Sequence, residues 1–287
     1  MSHDILSAIQ DNMDVFSKGQ RKIADFILGS YDKAAFMTAN RLGKQVGVSE
    51  STVVRFASEL GYDGYPDMQR SLQKMIRSRL TTVQRIEVTK DRFGGQDLLS
   101  AVLQADMDKI RQTLEELDRE SFDRAVDAIV SARKIYIIGV RSSASVALFL
   151  HFYFNLIFDH VTLVSANTVS EIFESLLRVG EGDVVIGVSY PRYSSRTVRA
   201  MNFARDRGAT TVAITDSEAS PLVPISTYSL MARSEMASFV DSLVAPLSLV
   251  NALLVAVSQR RNEDVERTFQ TLEDIWEEYN VYEKVQE

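Results

Sequence analysis

The sequence predicts two domains of different fold class: an all-α helix-turn-helix bundle, followed by an α/β domain whose parallel sheet is flanked by helices. Three observations support this division. The chain has 287 residues, roughly the length of two domains. Residues 38–62 carry apolar positions at helical spacing on both sides of a glycine. From Lys134 onward, short β-rich runs begin about 25 residues apart, the length of one βα unit.

The predicted helix-turn-helix consists of two short helical patterns joined at Gly47, with Ser49 opening the second. Glycine suits the left-handed residue of such a turn, and a serine can cap the free N–H groups of the helix that follows. The apolar positions are spaced to bury one face of each helix, and they are Leu42, Val46, Val48, Val53 and Phe56. Helical patterns at residues 5–13, 22–31 and 66–86 complete the predicted bundle.

The polar face of this motif indicates DNA binding. The side chains near the start of the second helix would reach base edges in a major groove, and they are Ser49, Glu50, Ser51, Thr52 and Arg55. Three further residues lie where contacts to the DNA backbone would be useful, namely Arg41, Lys44 and Tyr65. The open alternative is a helical hairpin that never touches DNA.

Charge is distributed unevenly along the chain, and this favours DNA binding by the first domain. Residues 17–90 carry 13 Lys or Arg against seven Asp or Glu, whereas residues 91–287 carry 19 against 29. Nucleic-acid binding depends on local positive potential, so an overall charge of −7 does not argue against it. The acidic remainder is predicted to be a sensor or assembly domain.

Composition excludes several classes of site. The chain has no cysteine, which excludes disulfides and thiolate metal sites, and its three histidines are too scattered to predict a metal site. No segment approaches the ~18 apolar residues of a membrane span, and no apolar leader is visible. The expectation is a soluble cytoplasmic protein with no cofactor, no metal and no membrane partner.

The elements of the second half follow from its periodicity. A hinge at residues 89–95 precedes two amphipathic helices at 97–117 and 121–132. Strands are predicted at 135–140, 161–164, 184–188 and 211–215, with an edge strand at 226–231. Helices follow at 239–257, where Pro246 marks a kink or a restart, and at 262–282, which packs on its own domain or on a partner subunit. The predicted boundaries are 1–88 for the DNA-binding domain, 89–132 for the linker and connecting helices, and 133–287 for the effector domain with its C-terminal helices.

Two clusters of small hydroxyl residues follow strand ends and predict an anion site. The first cluster comprises Arg141, Ser142 and Ser143, and the second comprises Ser189, Arg192, Ser194, Ser195 and Thr197. In open α/β sheets ligands bind at the carboxyl ends of the strands, and a helix N-terminus favours an anion such as phosphate. The alternatives are that these residues only cap helices, and that Arg141 forms a surface ion pair. Asp216, in Thr215-Asp216-Ser217, belongs to a turn or to the mouth of the site.

At these residues the chain resembles the RpiR family of bacterial transcriptional regulators. The segment 46–62 with Gly64-Tyr65 resembles that family's helix-turn-helix. Residues 138–143, 187–189 with 194–197, and 213–217 with 220–222 resemble a sugar isomerase (SIS) domain, which implies a Rossmann-like parallel sheet. The resemblance implies a homodimer or homotetramer that binds operators and senses a phosphosugar. It implies phosphate binding by Ser142, Ser143, Ser189, Ser194 and Thr197.

The chain departs from the pattern of the SIS domain at two places. Arg141 stands where the usual Gly-x-Gly-x-Ser pattern has its second glycine, and Pro191-Arg192-Tyr193 lengthens the compact Ser-x-Ser-Gly-x-Thr loop. These departures indicate a different acidic metabolite, with Arg141 and Arg192 supplying charge.

The predicted function is therefore a non-enzymatic regulator that binds a palindromic double-stranded operator and whose SIS domain alters operator affinity. A first alternative is an aldose–ketose sugar phosphate isomerase with an accessory helical domain, for which Glu171 and Glu174 are the available carboxylates, although no histidine lies in a motif near them. A second alternative is a sugar-binding module whose helical bundle mediates protein contacts.

Overall fold

The computed structural model describes residues 5–76, 81–86, 97–165, 168–235 and 240–283. The chain divides into two compact units, the first comprising residues 1–101 and 236–240 and the second comprising residues 102–235 and 241–287. The first of these boundaries falls inside one long helix, between Ala101 and Val102. Each unit has its own hydrophobic core. The predicted hinge at 89–95 lies outside the described residues, and the predicted domain boundaries stay a prediction.

The first unit is a helical bundle, as predicted. Its helices are α1 (Ile5–Asp11), α2 (Lys18–Gly29), α3 (Tyr31–Ala34), α4 (Ala39–Val46), α5 (Glu50–Glu59), α6 (Tyr65–Ile76) and α7 (82–86). Ser17 and Gln20 form a capping box at the start of α2, which satisfies two N–H groups there. The single helix predicted for 66–86 is wrong in detail, because Thr81 is not helical and α7 begins only after it.

The second unit begins with α8 (Leu98–Glu116) and α9 (Arg119–Val130) and continues as an alternation of strands and helices. The strands are β1 (Lys134–Gly139), β2 (Val161–Leu163), β3 (Asp183–Val188), β4 (Thr210–Thr215) and β5 (Tyr228–Met231). The remaining helices are α10 (Ser143–Ile157), α11 (Val169–Ser175), α12 (Ser195–Asp206), α13 (Val244–Arg260) and α14 (Asn262–Glu278), with a 3-10 turn at Val223–Ile225. Pro246 lies in the first turn of α13, so it marks a helix start and not a kink.

The described strands form one parallel sheet in the order β2-β1-β3-β4-β5. One face of the sheet packs against α9, α10 and α13, and the other packs against α11 and α12. This architecture confirms the predicted α/β class. Because both faces are covered, β3 is buried along its whole length, as its run of Val and Ile residues requires.

The strand order determines where a ligand site can form. The chain leaves β1 through α10 toward β2 on one side, and it leaves β3 through α12 toward β4 on the other. The strand order therefore reverses between the adjacent strands β1 and β3, and this switch point is where open α/β sheets bind ligands. Of the helices in the described ranges, none combines the length and the apolar character needed to cross a bilayer.

Candidate functional site

The helix-turn-helix has the geometry that its sequence predicts. Thr38 caps α4, and Gly47 ends that helix in the left-handed region with φ of 71°. The Val48 N–H then donates to the Gly43 carbonyl at 2.9 Å, which closes the turn. Ser49 caps α5, with its hydroxyl accepting from the Thr52 N–H at 3.3 Å. The turn is therefore held by both glycine conformation and serine capping.

Most of the predicted DNA-contacting residues lie on the surface around α5. Arg41, Lys44, Ser49, Glu50, Ser51 and Arg55 are exposed, and Thr52 is half-buried. The Ser49 hydroxyl lies within hydrogen-bond distance of the Ser51 and Thr52 hydroxyls, at 2.9 and 2.8 Å. Glu50 accepts from the amide of Asn40 on α4 at 3.0 Å, so its carboxylate is held across the motif.

Tyr65 does not belong to this surface, and its predicted DNA contact is wrong. The side chain is buried in the helical core, and its hydroxyl donates to the Met37 carbonyl at 2.7 Å. Burial raises the pKa of the phenol far above its ordinary value, so the hydroxyl stays protonated and keeps this bond. Tyr65 holds α6 against the segment before α4 and has no free donor for a phosphate.

Two lysines on α2 lie beside the motif and escaped the sequence reasoning. A side chain at Gly19 would place its first carbon 3.4 Å from the Thr52 methyl group, so the start of α2 lies against the start of α5. The Lys22 ammonium is 4.0 Å from the corresponding position at Gly47. Lys18, which adjoins Gly19, and Lys22, whose ammonium lies beside the turn at Gly47, are both exposed. The excess of basic residues in 17–90 includes these two lysines, but composition alone does not show that they lie beside the motif.

In the second unit, the loop after β1 brings three predicted ligand residues to the start of α10. Arg141 has a φ of 60°, a left-handed backbone that normally favours glycine. Ser142 occupies the capping position of α10, but its side chain makes no capping hydrogen bond. Ser143 is buried. The hydroxyl of Ser142 therefore does not serve the purely capping role that was the alternative for this cluster.

Side-chain hydroxyls in the loop after β3 form internal hydrogen bonds, unlike the Ser142 hydroxyl, which makes no capping bond in the loop after β1. The Ser189 hydroxyl accepts from the Ser194 N–H at 3.1 Å, and the Ser194 hydroxyl caps α12 by accepting from the Thr197 N–H at 3.4 Å. Arg192 has a φ of 66°, so both clusters contain an arginine with left-handed backbone. Ser195 is exposed at the first turn of α12. The Thr197 side chain is fully buried, and its hydroxyl has no hydrogen-bond partner among the described residues.

The end of β4 adds a buried carboxylate. Asp216 is 4% exposed and accepts from the Tyr193 hydroxyl at 2.8 Å and from the Ser217 hydroxyl at 3.3 Å. Burial, together with the charge of Asp216, raises the pKa of the Tyr190 phenol well above its ordinary value. Asp216 is therefore a buried anchor for the loop that carries Arg192, not a solvated turn residue.

These loops meet at one edge of the sheet because β1 and β3 are neighbours. The sequence-predicted clusters thus flank the switch point, with the N-termini of α10 and α12 directed toward the same edge.

The two carboxylates that the isomerase alternative requires lie on α11. Glu171 accepts a hydrogen bond from the Ser165 hydroxyl at 2.6 Å, and Glu174 is exposed. Across the described ranges, no group of three or more His, Asp or Glu side chains is placed to hold a metal ion.

Comparison with known proteins gives a family match for the helix-turn-helix domain and another for the α/β domain. The family described as "Helix-turn-helix domain, rpiR family" matches residues 3–79, and the SIS domain family matches residues 128–256. The structure of the sugar isomerase domain of an RpiR transcription factor from Sphaerobacter thermophilus is 30% identical, with a TM-score of 0.59 over 62% of this chain and 99% of that one. The chain belongs to the RpiR family.

Two further relatives match almost the whole chain. The transcriptional regulator HexR of Pseudomonas aeruginosa is 28% identical over 91% of this chain and 91% of its own. The NanR protein of Vibrio vulnificus, solved in complex with ManNAc-6P, is 26% identical with a TM-score of 0.59, covering 95% of this chain and 97% of that one. This RpiR-family chain is accordingly a transcriptional regulator with an N-terminal DNA-binding helix-turn-helix domain and a SIS domain.

Proposed function

We propose that the protein binds a palindromic operator as a homodimer or homotetramer, and that a sugar phosphate or a related anionic metabolite bound by its SIS domain alters operator affinity. The observation that carries the proposal is the meeting of two hydroxyl-rich loops at the β1/β3 switch point. An anion there would face the N-termini of two helices. A ligand can alter DNA affinity only by favouring one state of the protein over another.

The exposed face of α5 would supply the base contacts. Glu50, Ser51 and Arg55 lie near the start of this helix, where side chains of a recognition helix reach base edges. Arginine recognises guanine through two hydrogen bonds, and glutamate can accept from the cytosine amino group. The exposed basic residues around α5 would contact phosphates, and they are Lys18, Lys22, Arg41 and Lys44.

The loops after β1 and β3 would bind the metabolite. The phosphate ligands of this proposal are the hydroxyls of Ser142, Ser143, Ser189, Ser194, Ser195 and Thr197, with charge supplied by Arg141 and Arg192. A buried hydroxyl without a partner costs free energy, and a ligand oxygen would relieve that cost at Thr197. The structure of NanR with ManNAc-6P supports a sugar phosphate as the ligand class.

The proposal is tested by selecting binding sites from random double-stranded DNA with the purified protein and measuring affinity by fluorescence anisotropy. A palindromic consensus is expected, with half-sites about one helical turn, or a multiple of it, apart. Adding ManNAc-6P or glucose 6-phosphate should change the operator Kd, typically by about 5-fold or more. Conversion of either sugar phosphate by the protein would instead favour the isomerase alternative.

Replacing Arg55 with alanine is expected to weaken operator binding by about 10-fold or more while leaving sugar-phosphate binding unchanged. The guanidinium is exposed on the recognition helix and a base contact of this type contributes about 1–3 kcal/mol. Anisotropy on the selected operator measures the effect. Arg205→Ala, which removes an exposed arginine from α12, is the control for the change in charge. Equal losses for the two variants would contradict the role given to Arg55.

Thr197→Val is expected to leave the melting temperature of the ligand-free protein unchanged or higher, while weakening sugar-phosphate binding by about 10-fold. The hydroxyl that is lost has no partner among the described residues, so its removal leaves no broken bond. Thermal melting and calorimetric titration measure the two effects. Thr211→Val is the matched control, because the Thr211 hydroxyl donates to the Ile225 carbonyl at 3.1 Å. That variant should lose stability and keep ligand binding, and the opposite pattern would contradict a ligand role for Thr197.

A further inference from the structure

A continuous series of short hydrogen bonds runs from the proposed ligand site to α8. The Thr215 hydroxyl, at the end of β4, donates to the Ser189 carbonyl at 2.8 Å. The Thr215 carbonyl accepts from the Ala232 N–H, also at 2.8 Å, just beyond the end of β5. The next N–H along the chain, that of Arg233, donates to the Thr113 hydroxyl of α8 at 2.9 Å. The series therefore joins a proposed ligand residue to α8 in three steps.

Most of this series is shielded from water, and Arg233 is partly buried. Ser189, Thr215 and Ala232 are buried, and Thr113 is 8% exposed. The Thr113 hydroxyl also donates to the Lys109 carbonyl one turn earlier, at 2.8 Å, so it is satisfied as both donor and acceptor. Buried polar groups are costly when unpaired, so a shift at one bond of the series is opposed by the others.

Two more polar contacts fix α8 to the same segment after β5. The buried Lys109 ammonium lies 3.0 Å from Asp106, and the Ser242 hydroxyl donates to the same carboxylate oxygen at 2.7 Å. The Arg233 side chain pairs with Glu116, with its Nε donating at 2.6 Å. The pairs Ser242–Asp106 and Arg233–Glu116 are separated by more than a hundred residues in sequence. These contacts give α8 one defined position against the carboxyl edge of the sheet.

We propose that this clamp, formed by Thr113, Lys109, Asp106 and Glu116 of α8 with Arg233 and Ser242, couples ligand binding to DNA binding. The inference rests on the proposed sensing function. The division between the two units falls within α8, so this helix is one of the places where the chain passes from one unit to the other. A ligand that reorganises the Ser189 loop displaces Thr215, the segment after β5 and Thr113 in turn, which shifts the position of α8.

The decisive comparison is between Thr113→Val, which removes the hydroxyl but keeps the side-chain shape, and Thr113→Ser, which keeps the hydroxyl. For wild type and both variants, calorimetry measures binding of ManNAc-6P and glucose 6-phosphate, and anisotropy measures the Kd for the selected operator with and without saturating probe. Thr113→Val should bind both probe and operator within about threefold of wild type, while the probe-induced change in operator Kd falls below about twofold. Thr113→Ser should retain the wild-type change.

A second variant guards against a folding defect in Thr113→Val. Glu116→Gln alters a carboxylate that is 51% exposed, so it should fold normally, and we expect it to reduce the probe-induced change in operator Kd by half or more. Thr113→Val with a wild-type probe response would overturn the clamp while leaving the sensing function intact. Absence of any probe response in the wild-type protein would instead refute sensing of these probes, and the inference would fall with it.

Discussion

Gly139→Ala is expected to abolish sugar-phosphate binding and to lower the melting temperature by roughly 10 °C. Gly139 is the last residue of β1, and α10 passes directly over it. A first side-chain carbon at this position would lie 2.5 Å from the Ser143 carbonyl oxygen and 2.9 Å from the Ala147 side chain. Both are far inside contact distance, and the oxygen belongs to the backbone and cannot rotate away. Overpacking of this kind costs about 3 kcal/mol, which corresponds to roughly 10 °C in a unit of this size.

The loss of binding follows from where the strain must be relieved. The start of α10 would have to move away from β1, and it carries Ser142 and Ser143, the residues proposed to hold the anion. Thermal melting and calorimetric titration with ManNAc-6P measure the two effects. Gly180→Ala is the matched control, because its side chain would meet only the Arg207 carbonyl at 3.7 Å, an ordinary contact. A Gly139→Ala protein that binds the probe as wild type does would contradict the placement of the site at this loop.

The order and type of the elements could be predicted because both periodicities are strong. The described strands lie within two residues of their predicted bounds. Short runs of Val and Ile that alternate with helical patterns are typical of a parallel sheet covered on both faces. The break in the helix at Thr81 could not be predicted, because the helical spacing of apolar residues continues through it to Ile86. Tyr65 shows the same limit for the DNA surface: an aromatic residue beside a basic motif suits a phosphate contact and a core equally well, and only packing distinguishes them.

The positions of the two hydroxyl-rich loops could be predicted, because each follows a β-rich run and precedes a helical pattern, and their ligand role stays a prediction. Their closeness depends on β1 and β3 being neighbours, which strand order decides. The roles of the individual hydroxyls could not be predicted from the sequence. Ser194 caps its helix and Ser142 does not, although both stand immediately before a helix. The contact between Thr113 and Arg233 was also invisible, since nothing local in the sequence relates α8 to the segment after β5.

The DNA-binding motif is tested most directly by substituting Gly43, a glycine that the sequence pattern did not single out. Gly43 lies on α4, where the chain returns after the turn at Gly47. A first side-chain carbon at Gly43 would lie 2.8 Å from the Val48 carbonyl oxygen and 3.4 Å from the Glu50 nitrogen. The turn can pass this close only because position 43 has no side chain. The separation of α4 and α5, and with it the direction of the recognition helix, therefore depends on this residue.

Gly43→Ala is expected to abolish specific operator binding and to destabilise the first unit by about 2 kcal/mol, because the turn must move outward to admit the methyl group. Anisotropy on the selected operator and on scrambled DNA measures the first effect, and thermal melting measures the second. Gly29→Ala on α2 is the matched control, since its side chain would meet nothing within 4 Å, and it should bind DNA normally. Because Gly43 lies in the first unit, sugar-phosphate binding should persist in Gly43→Ala. Wild-type operator affinity in this variant would show that the packing of α4 against α5 does not orient the DNA-contacting face.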